Sequence, residues 1–293
     1  MQHRERKLTA SDGVELHLDT WSGDGAAKFV VAISHGGAEH AGRYARLAGD
    51  LVEAGGFVFG LDHRGQGRSG GTRGHVDRFE TYAHDLRHAL LDVAGQGPGT
   101  LRPEALPWFL FGHSMGGLIA LVYLLDHESD VPLRGAIVSS PLLGLTMKVN
   151  PVKLTIGKIA GRIAPKLALP TGIPPEGICR DPEEVQRYIA DTRRADVVTA
   201  GWFAAMNAAI ARVENEAAKI TIPSLWYVGS GDRICDHEAT KRVFATMKDA
   251  EARDQTLREF DGYYHELHNE PDEYRRPVIE MLRDWITARL HRG

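Results

Sequence analysis

The stretch FLFGHSMGGLIAL, from Phe109 to Leu121, decides the fold of this chain. Its first residues favour a β-strand, its last residues favour a helix, and the pentapeptide GHSMG, centred on Ser114, lies between them. A Gly-x-Ser-x-Gly turn between a strand and a helix is typical of a nucleophile elbow, whose strained backbone holds the serine hydroxyl above the sheet. The pattern therefore predicts Ser114 as a nucleophile. In the alternative interpretation, this is an ordinary strand-to-helix turn whose glycines serve packing alone.

Short apolar runs alternate with helical stretches on either side of this turn. Runs that are apolar throughout are buried on both faces, which predicts an α/β fold with a mostly parallel sheet and helices on both sides. Functional residues in such sheets collect at the carboxyl ends of the strands. The predicted strands lie within Phe29–Gly37, Gly56–Gly65, Pro107–Ser114, Arg134–Pro141, Ile222–Asp232 and Thr256–Gly262, and the helices within Arg43–Ala54, Phe79–Ala94, Gly117–His127 and His237–Met247.

The alternation stops between about Leu142 and Val213, where we find no convincing strand and where prolines divide the sequence. Two helices are predicted there, DPEEVQRYIADT and TAGWFAAMNAAIARVENEA, the first with Asp181 as N-cap and Pro182 at its first position. We interpret residues 142–213 as a helical cap inserted between two parts of the core, residues 1–141 and 214–293.

Composition limits the class of protein. The 293 residues are 43% apolar and carry 35 basic and 39 acidic side chains, so the net charge of −4 gives no electrostatic case for binding nucleic acid. The two cysteines, Cys179 and Cys235, have no metal-type spacing and indicate a reducing compartment. Neither a signal-like segment nor a run of eighteen apolar residues occurs, so we expect a cytoplasmic protein. The oligomeric state is left open.

A serine nucleophile needs a base, and the base needs an orienting acid. In this type of fold the acid follows a later strand and precedes the histidine in the chain. Asp232 comes directly after the predicted strand at Ile222–Asp232 and is the favoured acid. Asp236 competes with it, but its place at the start of the next helix is explained by N-capping.

Two histidines, His265 and His268, follow the last predicted strand. His265 is the favoured base, and we expect His268 in the first turn of the final helix, as a supporting or surface residue. Their spacing could suggest a metal pair, but catalytic zinc takes three protein ligands and no third is evident. The remaining histidines are interpreted as surface or core residues, with Glu39, His40 and His63 as candidate loop scaffolding.

Acyl transfer also needs N–H donors for the oxyanion of the tetrahedral intermediate. The residue after the nucleophile supplies one donor, which is the backbone N–H of Met115, and the loop after the first core strand supplies the other. We choose Gly37 for the second donor because glycine lets the backbone approach a substrate closely. An ordinary turn glycine is the alternative.

Five motifs together make the chain resemble the monoacylglycerol lipase family of the α/β-hydrolase superfamily, a group that includes lysophospholipases and serine aminopeptidase-like hydrolases. The resemblance covers nearly the whole chain, and the cap is where the sequence departs from it. It implies the α/β-hydrolase fold, with Ser114 as nucleophile, Asp232 as acid, His265 as base, and Gly37 and Met115 as oxyanion donors. The motifs are SHGGAEHAGRY, LDHRGQGRSGGTRGHV, FGHSMGG, GSGDRICD and GYYHELHNEP.

The residues and the resemblance together predict a cytoplasmic serine hydrolase that cleaves glycerol esters, above all monoacylglycerols, through an acyl-enzyme and without a metal ion or organic cofactor. A lysophospholipase or a general carboxylesterase would use the same residues. A ligand-binding protein that keeps the fold without turnover is the rival from a different class. Dehalogenase and epoxide hydrolase chemistry is disfavoured because those enzymes need a carboxylate at the position of Ser114.

The cap also suggests how a lipid substrate arrives. From Lys148 to Pro170 the sequence holds five basic residues and no acidic one: Lys148, Lys153, Lys158, Arg162 and Lys166. On a helical projection Ile156, Ile159 and Ile163 fall opposite Lys158 and Arg162, the pattern of a basic amphipathic segment that lies on a membrane surface. We therefore expect a transient membrane contact through the cap, although a short helix packed on the core is the alternative.

Overall fold

A computed structural model of the chain describes residues 1–96, 101–146, 163–247 and 249–290. In this part of the chain ten strands form, and eight of them build one central sheet in the order β1-β2-β4-β3-β5-β6-β9-β10. The strands are Gln2–Thr9 (β1), Glu15–Ser22 (β2), Phe29–Ser34 (β3), Gly56–Leu61 (β4), Trp108–His113 (β5), Leu133–Ser139 (β6), Ala168–Pro170 (β7), Val197–Thr199 (β8), Ser224–Gly229 (β9) and Gln255–Phe260 (β10).

From β4 to β10 every neighbouring pair in the central sheet is parallel, whereas β1 and β2 pair antiparallel with each other and β2 pairs antiparallel with β4. The predicted α/β-hydrolase fold with a mostly parallel sheet is therefore confirmed. The helices are Ala45–Glu53 (α1), Glu80–Gln96 (α2), Met115–His127 (α3), Pro182–Ala190 (α4), Ala200–Glu216 (α5), His237–Ala245 (α6) and Asp272–Thr287 (α7).

The sheet has a hydrophobic core on each face, as the uniformly apolar strands predict. Successive side chains of a strand point to opposite faces, so Val30 packs in one core with α2 and α3, and Val31 packs in the other with α1 and α7. All six residues of β3, of β5 and of β9 are buried. These central strands hold the loops at their carboxyl ends in fixed positions.

The hairpin β1–β2 was not among the predicted strands. Seven of the eight residues of β1 are polar, and most of them are exposed at the edge of the sheet. Such a strand carries no apolar run, and its pairing with β2 is visible only in three dimensions.

The prediction that residues 142–213 contain no strand is wrong. Within that segment β7 and β8 pair antiparallel, with Leu169 opposite Val198. Each strand has three residues, which is too short to show an alternating pattern. The division into core and cap at residues 142–213 stays a prediction, and the basic residues and isoleucines from Lys148 to Arg162 lie outside the described residues.

The helix boundaries agree with the capping signals in most places. Asp181 accepts hydrogen bonds from the backbone N–H groups of Glu183 and Glu184, and Pro182 is the first residue of α4, as predicted. The final helix begins at Asp272, however, and His268 lies before it in a 3-10 turn, Leu267–Asn269. The expectation that His268 belongs to the first turn of that helix is therefore wrong, because Pro271 sets the start of the helix.

Candidate active site

The turn between β5 and α3 holds Ser114 in a strained conformation. Its backbone angles are φ 53° and ψ −121°, in a region that side-chain-bearing residues rarely adopt, and 8% of the residue is exposed. The glycines of the turn are required by packing, since a Cβ at Gly112 or Gly116 would collide with a backbone carbonyl. Packing alone therefore explains the glycines, whereas the strained backbone of the serine indicates a functional role.

The structure brings Asp232 and His265 together at the carboxyl ends of β9 and β10. His265 Nδ1 lies 2.7 Å from Asp232 Oδ2, and both side chains are almost completely buried. The other oxygen, Asp232 Oδ1, accepts hydrogen bonds from the backbone N–H groups of Ile234 at 2.8 Å and Cys235 at 2.9 Å. This second set of bonds fixes the carboxylate, so that Oδ2 remains directed at the imidazole.

The competing carboxylate, Asp236, is the N-cap of α6. Its side chain accepts a hydrogen bond from Glu238 N at 3.0 Å and has no contact with His265 in the described part of the chain. Of the two aspartates, Asp232 is the one that the fold places against the imidazole.

Three carboxylates around His265 set its protonation. Burial alone would lower the pKa of His265, but the negative charge and hydrogen bond of Asp232, with further contributions from Glu266 and Glu39, raise this pKa above its ordinary value. An imidazole in this setting holds a proton more firmly than one in water. It is therefore suited to accept a proton during a reaction.

His268 has a different environment from His265. It is 1% exposed, stacks on the ring of Tyr44 with 5.1 Å between centroids, and meets His113 edge-on at 5.0 Å. Burial lowers the pKa of His268 to about 3, so the ring is neutral. His268 is thus a buried supporting residue, not a surface one, and among the described residues the candidate metal-binding groups include neither His265 nor His268.

Ser114 and His265 line the same small cavity of about 20 Å³, which has room for about one water molecule. No hydrogen bond joins these two side chains in the described residues, and the Oγ of Ser114 instead faces Cys235 Sγ at 3.9 Å. Catalytic hydrogen bonds in ligand-free enzymes are often longer than in the substrate complex. Ser114 and His265 therefore lie on the wall of one cavity without a hydrogen bond between their side chains in the described residues.

The two predicted oxyanion donors, Gly37 and Met115, are neighbours, and Gly37 lines this cavity. A Cβ placed on Gly37 would meet only the Met115 side chain, at 3.7 and 3.8 Å, which is ordinary contact. The N–H groups of Gly37 and Met115 have no hydrogen-bond acceptor in the ranges that the structure describes, whereas Gly36 N–H donates to Glu39. Both N–H groups are therefore available to a ligand, and the fold itself does not require glycine at position 37.

A buried ionic cluster next to the cavity joins the loop after β3 to the loop after β10. Arg43 Nη1 lies 2.7 Å from both Glu39 Oε2 and Glu266 Oε1, and Arg43 Nη2 donates to Glu266 Oε2 at 2.8 Å. Tyr44 OH donates to Glu39 Oε1 at 2.7 Å. Two carboxylates thus share one guanidinium, which leaves an excess negative charge beside His265.

The two carboxylates of this cluster respond to Arg43 differently. Burial works against ionisation of Glu266, but Arg43 outweighs it and lowers the pKa of Glu266 to about 2. For Glu39 burial is the larger effect, together with repulsion from Glu266, and its pKa is raised. Glu39 was predicted as loop scaffolding, and Arg43 and Glu266 were not predicted as functional residues, although all three lie in the motifs SHGGAEHAGRY and GYYHELHNEP.

Residues from the predicted cap complete the wall of the cavity. Ile173, Ile178 and Tyr188 line it, and Ile178 O accepts a hydrogen bond from Glu266 N at 2.7 Å. The Tyr188 ring lies under the Arg43 guanidinium at 4.9 Å. The wall of the cavity therefore combines apolar side chains with acidic and phenolic ones.

Comparison with known proteins shows the family of the chain. Residues 25–272 match the family described as "Serine aminopeptidase, S33". The chain belongs to this hydrolase family. As an S33-family member it is 33% identical over 285 residues to a monoglyceride lipase of Homo sapiens, covering 96% of this chain and 90% of that protein. It is also 31% identical over 287 residues to a monoacylglycerol lipase of Mycolicibacterium smegmatis, with 98% of each chain covered.

Among solved structures, this S33-family chain is similar to the monoacylglycerol lipase of Paleococcus ferrophilus. The TM-score is 0.79 at 29% sequence identity, and the match covers 99% of this chain and 100% of that one. Within the described ranges, no helix is both long enough and apolar enough to cross a bilayer.

Proposed function

We propose that this hydrolase cleaves monoacylglycerols to glycerol and a free fatty acid through an acyl-enzyme formed on Ser114. The observation that carries the proposal is the hydrogen bond between His265 Nδ1 and Asp232 Oδ2 at the wall of a cavity that also holds the strained Ser114. The full-length similarity to monoglyceride lipases supports the choice of substrate class.

In the proposed mechanism His265 acts as general base and then as general acid. Nε2 of His265 takes the proton of the Ser114 hydroxyl as Oγ attacks the ester carbonyl, and Asp232 stabilises the imidazolium that forms. The N–H groups of Gly37 and Met115 bind the oxyanion of the tetrahedral intermediate. His265 then protonates the departing glycerol oxygen, and a water activated by the same imidazole hydrolyses the acyl-enzyme and restores Ser114.

The charge of the cavity favours a neutral alcohol group. Arg43 is already shared by two carboxylates, so it offers no free positive charge to a phosphate. Glycerol carries only hydroxyl groups, which can hydrogen-bond to carboxylates such as Glu39. This observation favours monoacylglycerol over lysophospholipid, which is the enzymatic alternative together with a general carboxylesterase.

The apolar residues of the cavity support an acyl group as the other half of the ester. Ile173, Ile178 and Ile234 contribute side chains to the wall, in addition to the acidic residues. Since the cavity has room for about one water molecule, only the part of such an ester next to the reacting carbonyl would meet this mixed wall.

The substrate implies work at a lipid surface, and we place the protein in the cytoplasm in transient contact with a membrane. Both cysteines are free thiols, the form that a reducing compartment maintains. At the end of the predicted contact segment, the exposed fractions are 78% for Ile163, 48% for Leu167 and 41% for Leu169. Exposed apolar side chains beside basic residues suit an anionic bilayer surface.

A test of the function combines an ester panel with covalent labelling. Purified protein is given monoacylglycerol, lysophosphatidylcholine and short-chain 4-nitrophenyl esters, and kcat/KM is compared for wild type, Ser114→Ala and the control Ser22→Ala. We expect monoacylglycerol to be the best substrate, a fluorophosphonate to label Ser114 once, and both properties to vanish only in Ser114→Ala. Faster hydrolysis of lysophosphatidylcholine or of the short esters would favour those alternatives. Absence of turnover on every ester would favour a binding protein.

A further inference from the structure

A second cluster of side chains that can bind ligands lies outside the cavity, on the edge hairpin β1–β2. Glu5 pairs with Asp19, and Lys7 with His17, in the antiparallel register of these strands. Side chains two residues apart share a face of the sheet, so His3 and Glu5 of β1 lie on the same face as His17 and Asp19 of β2. Two short patterns, His-x-Glu and His-x-Asp, therefore meet across the hairpin.

The side chains of this cluster contact each other through atoms that can bind metals. Asp19 directs one oxygen to each imidazole: Oδ1 lies 2.7 Å from His3 Nε2, and Oδ2 lies 3.5 Å from His17 Nε2. Ligand atoms of His3, Glu5 and Asp19 all lie within 4.8 Å of one another. We propose that His3, Glu5 and Asp19 form a binding site for a divalent transition-metal ion, with zinc as the expected ion and His17 as a neighbour of Asp19.

The donor atoms decide the class of ion. Imidazole nitrogen with carboxylate oxygen suits zinc and its transition-metal neighbours, whereas magnesium and calcium prefer sites made of oxygen alone. Zinc binds these donors at about 2.0–2.2 Å in a tetrahedron, which separates the ligand atoms by about 3.3 Å. The ligand atoms of His3, Glu5 and Asp19 lie within 4.8 Å of one another, and rotation of the exposed Glu5 side chain can bring its oxygens closer to this spacing.

His3 is oriented before any ion binds, although it is exposed. Its ring stacks on the buried Trp21, with 5.3 Å between the centroids and 16° between the planes. Asp19 is also held in place, because it is 3% exposed. Two ligands with restricted orientations lower the entropy lost on binding.

A positively charged side chain already occupies part of this cluster. Arg68 Nη1 contacts Glu5 Oε1 and lies 3.4 Å from His17 Nε2. The Arg68 side chain is 42% exposed, and its backbone is held separately by a hydrogen bond from Arg68 N to Asp62 Oδ2 at 2.8 Å. The guanidinium can therefore swing into solvent, and it competes with a metal ion for the same acceptors.

The chain offers a matched control in another group with metal-like spacing, His237, Glu238 and Glu259. There Lys241 Nζ contacts both carboxylates, at 2.8 and 3.0 Å, and only one imidazole takes part. All three side chains are exposed or half-buried. This second group has no buried carboxylate to fix the geometry, whereas the first has Asp19.

An ion at the proposed site would join the edge strand β1 to β2. It would bind the folded protein in preference to the unfolded chain and so raise the melting temperature as its concentration rises. This role is structural and separate from ester hydrolysis.

The test measures zinc alone, by competition with a chromogenic chelator and by thermal melts, on the whole chain and on five variants. His3→Phe keeps a ring on Trp21 but removes the ligand nitrogen, and Asp19→Asn removes the central charge. Arg68→Ala removes the competing cation, Arg68→Lys keeps a positive charge, and His237→Ala tests the control group. Magnesium serves as the control ion.

We expect one zinc ion per chain with a micromolar dissociation constant, and no effect of magnesium on the melting temperature. His3→Phe and Asp19→Asn should weaken binding by at least about tenfold, a loss that even an outer ligand partner causes. Arg68→Ala should bind more tightly than wild type and than Arg68→Lys, while His237→Ala should match wild type. Absence of stoichiometric binding, unchanged affinity in both His3→Phe and Asp19→Asn, or loss of binding in His237→Ala alone would overturn the proposal.

Discussion

His265 Nδ1 lies 2.7 Å from Asp232 Oδ2, and this contact joins two loops whose residues are 33 positions apart in the chain. The carboxylate is fixed on its other side by the backbone N–H groups of Ile234 and Cys235. The Asp232 carboxylate therefore has a fixed orientation and in turn orients the His265 imidazole. This contact is the first target for mutation.

Asp232→Asn should lower kcat for monoacylglycerol by about 10⁴-fold, because the amide neither stabilises an imidazolium nor enforces the required tautomer. Steady-state hydrolysis with circular dichroism as a folding check measures this. Asp236→Asn is the matched control, and since asparagine caps a helix about as well as aspartate, its activity should stay near that of wild type. Comparable losses in the two variants would contradict the assignment of Asp232 as the acid.

The pH dependence of kcat/KM should report His265. The base must be unprotonated to accept the Ser114 proton, so activity should rise with pH through the pKa of His265. Because Asp232, Glu266 and Glu39 outweigh burial and raise this pKa, the inflection should lie above the ordinary histidine value of about 6.5. Glu266→Gln removes one negative charge and should shift the inflection to lower pH.

The control for this shift is Glu176→Gln, which removes an exposed carboxylate. It should leave the inflection where it is in wild type. An unchanged or higher inflection in Glu266→Gln, with a normal thermal melt, would mean that the buried cluster does not act on His265.

Substitution by alanine at Gly116 and at Gly37 should have different effects on stability and activity. A Cβ at Gly116 would collide with the carbonyl oxygen of Ser34, so Gly116→Ala should reduce the free energy of unfolding by at least about 1–3 kcal/mol. A Cβ at Gly37 has ordinary contacts, and Gly37→Ala should change that free energy by less than about 1 kcal/mol while lowering kcat/KM. Urea denaturation and ester kinetics separate the two effects. Full activity of Gly37→Ala would show that the substrate does not need the close backbone approach that glycine permits at position 37.

Cys235 should make the enzyme sensitive to maleimides, but only slowly near neutral pH. Its Sγ lies 3.9 Å from Ser114 Oγ, so a bulky adduct would block the nucleophile. Burial raises the pKa of this thiol well above its usual range, and a protonated thiol reacts slowly. Inactivation should therefore accelerate with alkaline pH and should be lost in Cys235→Ala but retained in Cys179→Ala. Equal sensitivity of Cys235→Ala and wild type would exclude Cys235 as the residue whose modification inactivates the enzyme.

The parts of the fold that the sequence predicts are those where one physical signal dominates. The buried strands β3, β5 and β9 are apolar throughout, and Asp181 with Pro182 marks the start of α4 by capping chemistry alone. The edge strand β1 and the three-residue strands β7 and β8 were missed because their pairing depends on tertiary neighbours.

The residues of the candidate site also fall into those that the sequence predicts and those that it does not. Asp232 and His265 were chosen because each follows a recognisable strand, and their contact is a consequence of parallel strands ending at one edge. The partnership of Arg43 with Glu266 spans 223 positions, and no local pattern relates the two residues. It becomes visible only when the loops after β3 and β10 are brought together.

Membrane contact through the segment from Lys148 to Pro170 should depend on its apolar side chains. Ile163 and Leu167 are exposed at its described end, and its basic residues would add attraction to anionic lipid. Wild type should therefore co-sediment with vesicles more strongly when they contain anionic lipid. Ile163→Ser/Leu167→Ser and Ile156→Ser/Ile159→Ser should reduce both binding and hydrolysis of vesicle-borne monoacylglycerol, while hydrolysis of a dissolved short-chain ester stays normal.

Leu91→Ser is the control for that experiment, because Leu91 is also an exposed apolar residue but belongs to α2, outside the segment. Its binding to vesicles should equal that of wild type, since scattered single apolar side chains on a surface do not form a membrane-binding face. If both double variants sediment like wild type and hydrolyse vesicle-borne substrate at the same rate, this segment has no part in reaching the membrane, and the isoleucines serve packing instead.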